Sequence, residues 1–195
     1  MRSLAPLLIA LAAPAPAIAQ SNAETRNLDV TGEVPGTCTL GAPQLAAGPQ
    51  VNFRGINGNA LPIDQLVDSE TLSTEPASTE IGFEAACSFP HRVRLESQNN
   101  GLWRTSERTS AAPAGFGDAV PYRATVRWAS ENLQLVADAR FRRIAGDTLF
   151  VDRTATGTLR LRLEIDAGAT NQRANAPLVA GTYGDTLRIS LEPQQ

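Results

Sequence analysis

Residues 26–40 read RNLDVTGEVPGTCTL, and this short stretch governs the reading of the whole chain. Leu28, Val30, Gly32 and Val34 fall on one face of an extended backbone. Asn27, Asp29, Thr31 and Glu33 fall on the other. A single apolar face has to lie on something. That partner is either the chain's own domain or a neighbouring molecule. The stretch ends in Cys38, one of two cysteines.

On its N-terminal side the sequence reads as an export leader. Arg2 gives a charged start, residues 4–11 form a short apolar run, and Ala17-Ile18-Ala19 is a small-x-small cleavage site. The expected boundaries are a signal peptide over 1–19, an extension over 20–37, and one domain over 38–195. The apolar run is short and proline-broken, and no later segment is long enough to span a bilayer. In an exported chain, two cysteines most simply pair. A Cys38–Cys87 bridge would close a loop of about 50 residues and contribute about 4 kcal/mol. A metal or redox pair is the rival reading. It lacks a CxxC motif and has one imidazole, His91, to call on.

Downstream, residues 41–79 are rich in Pro, Gly, Ser, Thr and Asn, with short apolar pieces at 51–56 and 61–67, and read as loops with one or two short strands. Period-two alternation then recurs. It places Ile81, Phe83 and Ala85 on one face, then Val93 and Leu95, then Val120, Tyr122, Ala124, Val126 and Trp128. Leu159, Leu161, Leu163 and Ile165 alternate with Arg160, Arg162 and Glu164. At the end, Leu187, Ile189 and Leu191 alternate with Arg188, Ser190 and Glu192. Residues 102–118 read as an exposed loop and 132–141 as strand or short helix. No segment sustains a helical period, so the expected class is an all-β sandwich.

Three motifs carry a family resemblance. An alternating segment runs into a first cysteine, LDVTGEVPGTC. A second cysteine closes another strand, IGFEAACSFP. The chain ends on AGTYGDTLRISLEP, a Gly-x-Tyr-x-Asp-Thr-apolar pattern at Gly181, Tyr183, Asp185, Thr186, Leu187, Ile189 and Leu191. In these motifs the chain resembles the spore coat protein U family, which includes subunits of archaic (Csu-type) chaperone–usher pili. The resemblance implies an immunoglobulin-like, pilin-type sandwich lacking one strand. A periplasmic chaperone lends that strand first, and the next subunit's arm then replaces it. Leu28, Val30, Gly32 and Val34 would be the donated residues. The implied partners are other pilus subunits, the chaperone and an outer-membrane usher, with a surface fimbrium as destination. Pro193 cannot donate to a ladder, so the last strand is expected to stop near Leu191 or Glu192. The alternative function is a self-complete secreted sandwich. It would be closed by its own first strand and would bind a surface glycan or protein through the 102–118 loop, with Trp103 as the candidate contact.

Enzyme chemistry finds little purchase. There is no Gly-x-Ser-x-Gly elbow, no P-loop, no dinucleotide fingerprint and no calcium loop. No catalytic, cofactor or metal residues are assigned. The net charge of -3 gives no reason to expect nucleic acid. Arg123, Arg127, Arg160, Arg162 and Arg188 read as a solvated outer face, and Asp185 as a turn carboxylate bonding nearby amides.

Overall fold

β-branched and aromatic residues at alternate positions dictate strands here, and Gly, Pro and Asn between them dictate turns. The computed structural model describes residues 26, 28–105 and 112–194. The leader expected over 1–19 and part of the 102–118 segment lie outside these residues. The chain divides into two units, Met1–Val34 and Pro35–Gln195. In the first, Leu28, Val30 and Val34 are 88%, 88% and 85% exposed, and residues 28–34 form no strand.

The described residues of the second unit form twelve strands and no helix. They are β1 (Cys38–Leu40), β2 (Gln44–Leu45), β3 (Ala77–Cys87), β4 (His91–Ser97), β5 (Leu102–Arg104) and β6 (Ala119–Val120). There follow β7 (Tyr122–Trp128), β8 (Glu131–Ala137), β9 (Ala145–Val151), β10 (Ala155–Ile165), β11 (Tyr183–Gly184) and β12 (Leu187–Pro193). One six-stranded antiparallel sheet runs β1-β3-β10-β7-β8, with β2 also on β3. A three-stranded sheet, β12-β4-β9, forms the second layer, and β11-β5-β6 is a smaller third sheet.

The two layers share one core. Val93, Leu95 and Val151 of the small sheet and Val126, Trp128 and Leu159 of the large one are all at most 4% exposed within it. The alternation expected for β3, β4, β7 and β10 holds, and 132–141 resolves as strand through Ala137. Two expectations change. Residues 102–104 are a strand rather than loop, because Leu102 and Trp103 pair with Val120 and Ala119. The last strand also runs on to Pro193, opposite His91. Gln98 N donates to Thr186 O at 3.0 Å and Gln194 N to Pro90 O at 3.3 Å, so even-numbered residues of β12 face β4. Pro193 therefore turns its missing donor toward the open side of an edge strand, where no ladder bond is lost.

Cys38 stands opposite Cys87 in the β1–β3 register with Cα atoms 4.1 Å apart, and the two are disulfide-bonded. No free cysteine remains. Ser88 N donates to Thr37 O and Gly41 N to Glu84 O, which makes the cysteines a non-hydrogen-bonded pair. Side chains approach most closely at such pairs.

Candidate functional site

β12 is an outer strand of the second layer, with one edge open among the described residues. The even residues bond β4, so the backbone N–H and C=O groups of Leu187, Ile189 and Leu191 point away from the sheet. No strand pairs with that edge among the described residues. Unpaired backbone edges invite another strand.

Beside this edge lies a cavity of about 700 Å³. Its floor is the inner face of the large sheet: Ile81 and Phe83 of β3, and Leu161, Leu163 and Ile165 of β10. Leu187 and Ile189 form one wall. Phe53, Ile56, Leu61 and Ile63 form the other. These wall residues belong to a small hairpin with bridges Phe53–Ile63 and Asn57–Ala60. Asn52 anchors it, its Nδ2 donating to Gln65 O at 2.6 Å and its Oδ1 accepting from Gln65 N at 2.8 Å. The apolar pieces at 51–56 and 61–67, expected among loops with one or two short strands, face each other across the Phe53–Ile63 bridge. Leu187, Ile189 and Leu191 pack against the core as expected but are half-buried, and Leu187 and Ile189 border the open cavity.

A polar cluster sits at one end of the groove. Asp185 Oδ2 accepts from Ser97 Oγ at 2.5 Å and from the Tyr122 hydroxyl at 2.7 Å. Its Oδ1 accepts from Asn99 N (2.9 Å), Asn99 Nδ2 (3.1 Å) and Thr186 N (2.7 Å). The expected role as a local turn carboxylate is therefore corrected: four of the five bonds tie β12's start to β4's end and to β7. Burial pushes the Tyr122 hydroxyl well above its ordinary range, so it is a donor. Burial likewise pushes Tyr183 up to about 12, and its hydroxyl donates to Val179 O at 2.6 Å. Gly181 has a φ of +155°, and Tyr183 pairs with Arg104 across β11 and β5. The closing motif is thus one continuous device, a hub at Asp185 followed by an open strand.

The remaining candidates resolve as framework. His91 is fully buried and both ring nitrogens are engaged. Trp128 Nε1 donates to Nε2 at 2.8 Å, and Nδ1 lies 2.9 Å from Phe89 O, which makes it the Nδ1–H tautomer. His91, Cys38 and Cys87 have candidate ligand atoms within 4.8 Å of one another, but the sulfurs are bonded together and the imidazole lone pair at Nε2 already accepts the Trp128 hydrogen bond. Trp103 Nε1 donates to Asn99 O at 2.6 Å, a bond that fixes the ring in the framework. On the outer face of the large sheet, Arg123 pairs with Asp166, Arg160 with Glu80 and Arg162 with Glu164, a mixed-charge surface. Arg188 belongs to the other sheet, on the outward face of β12 beside the edge that borders the groove. No helix among the described residues is long and apolar enough to cross a membrane.

Comparison with protein-family models finds no match to this chain. Comparison with curated protein sequences finds none either.

Proposed function

We propose that this chain is a structural subunit of a surface fibre, assembled by strand exchange between copies. In this reading the sandwich is immunoglobulin-like and pilin-type. The space beside β12 is the seat of a missing strand, and residues 28–34 of another copy fill it. One observation carries the proposal. The same chain presents an unpaired edge over an apolar groove of about 700 Å³ and an alternating segment whose Leu28, Val30 and Val34 are exposed. An arm laid along β12 would satisfy the backbone of Leu187, Ile189 and Leu191 and set every second side chain into the groove. Strand addition to a sheet edge is a recurring recognition mode.

The reading implies export ahead of assembly, a periplasmic chaperone that holds the groove until the next subunit arrives, and an usher at the outer membrane. Membership in the spore coat protein U class of archaic pilins rests on the three sequence motifs. The test is polymer ladders on unboiled gels, with chaperone and usher co-expressed. Wild type should form ladders, and Val30→Asp should abolish them, because a carboxylate in an apolar groove costs several kcal/mol. Ladders that persist in Val30→Asp would sink the donor role of the arm. A monomeric wild type that unfolds on loss of residues 20–34 would establish the self-closed sandwich instead.

A further inference from the structure

β12 and the arm carry matching lengths and complementary charges. β12 is seven residues long, and the arm's alternating stretch, 28–34, spans the same number of positions. On the outward face of β12, Arg188 is exposed and its guanidinium has no ion-pair or hydrogen-bond partner among the described residues. Its cross-strand neighbour Glu96 is already taken by Arg94 at 2.8 Å. The outward face of the arm carries Asp29, Thr31 and Glu33. An unpaired guanidinium on an open edge and an acidic stripe on the arm are complementary in charge.

We infer that an ion pair between Glu33 of one copy and Arg188 of the next fixes the register of the exchanged strand; this rests on the strand-exchange reading above. We set the arm antiparallel to β12, the sense of every strand pair among the described residues, and the cysteine variants below test that polarity. The single antiparallel register that pairs all seven residues sets Leu28 against Pro193 and Val34 against Leu187. It puts Glu33 opposite Arg188 and Gly32 opposite Ile189. Asp29 falls opposite Glu192, whose charge Arg92 already neutralises at 2.8 Å. A slip of two residues would put Thr31 on Arg188 and shorten the ladder. A parallel arm of the same overlap would put Asp29 there.

The Glu33–Arg188 position is a non-hydrogen-bonded pair, close enough for a disulfide if both were cysteine. Full-length Glu33→Cys/Arg188→Cys chains, assembled with chaperone and usher and then mildly oxidised, should give ladders that survive boiling without reductant and collapse with it. Parallel chains carry Thr31→Cys/Arg188→Cys or Asp29→Cys/Arg188→Cys. Boil-resistant ladders from either of these in place of the first would overturn the register or the polarity while leaving strand exchange standing. Absence of ladders even in unboiled wild type would overturn the exchange reading and this inference together. Charge reversal adds an independent arm. Arg188→Glu or Glu33→Arg alone should lower assembly about fivefold, and the two together should restore it. Single reversals without effect would overturn the ion pair.

Discussion

Replacing Asp185 by alanine tests the hub that holds the start of β12. The carboxylate accepts from Ser97 Oγ, the Tyr122 hydroxyl, Asn99 twice and Thr186 N. Ser97 is 0% and Tyr122 8% exposed, so both hydroxyls lose their acceptor where replacement is hardest. Each orphaned buried group costs about 1–3 kcal/mol. The Asn99 and Thr186 groups lie nearer solvent and are partly rescued by water, so the total is about 2–4 kcal/mol. Tyr122→Phe removes one donor and leaves the carboxylate four others, at about 1 kcal/mol. In the double variant no Tyr122 hydroxyl is left to orphan. The loss should fall short of the sum by about 1–2 kcal/mol. Urea unfolding of the four proteins, with m-values held in common, gives the cycle. Strict additivity, or a loss below about 0.5 kcal/mol in Asp185→Ala, would refute the hub.

Three further outcomes follow. Cys87→Ala should lower stability by about 2–5 kcal/mol in urea unfolding, since the bridge closes a span of 49 residues. The β7–β8 turn holds Ala129 and Ser130 at φ of +52° and +73°. Ala129→Asn with Ser130→Gly should therefore raise stability by about 1 kcal/mol, read as a shift of the urea midpoint at unchanged m. The third is a pH dependence with two limbs. The hydrogen bond from Arg123 holds Asp166 below the ordinary carboxylate range, and a backbone bond at Arg140 does the same for Asp138. Their stabilisation is present above that range and lost as pH falls below about 4. Tyr183 is raised to about 12, so its contribution is complete below about pH 10 and is lost between there and 12. Ultraviolet titration should show both tyrosines, the only two in the chain, silent at pH 10.

The strands were legible wherever one face is buried and the other wet. Leu159, Leu161 and Ile165 alternate with arginines because β10 has a core on one side and solvent on the other. The disulfide was legible because two cysteines behind a leader-like segment, with no CxxC and one imidazole, have few other uses. What the sequence hid was long-range. Asp185 reads as a turn residue because its local bond to Thr186 N is real, while its bonds to Ser97, Asn99 and Tyr122 come from elements 63 to 88 residues away. The wall of the groove stayed hidden because Phe53, Ile56, Leu61 and Ile63 are set by a short hairpin with no strand period. The reach of β12 to Pro193 was misjudged because the penalty for proline depends on which side its nitrogen faces. Arg188 looked like one of five surface cations until the sheets separated it from the other four.

The unpaired edge of β12 is the feature on which the account stands, and amide hydrogen exchange reads it residue by residue. Full-length Val30→Asp supplies the unassembled subunit and wild-type polymer the assembled one. In the subunit, the amides of Arg188, Ser190 and Glu192 should be protected by β4, and those of Leu187, Ile189 and Leu191 should exchange quickly. In the polymer all six should be protected. Protection of Leu187, Ile189 and Leu191 already in the unassembled subunit, or their continued rapid exchange in the polymer, would contradict strand exchange at this edge.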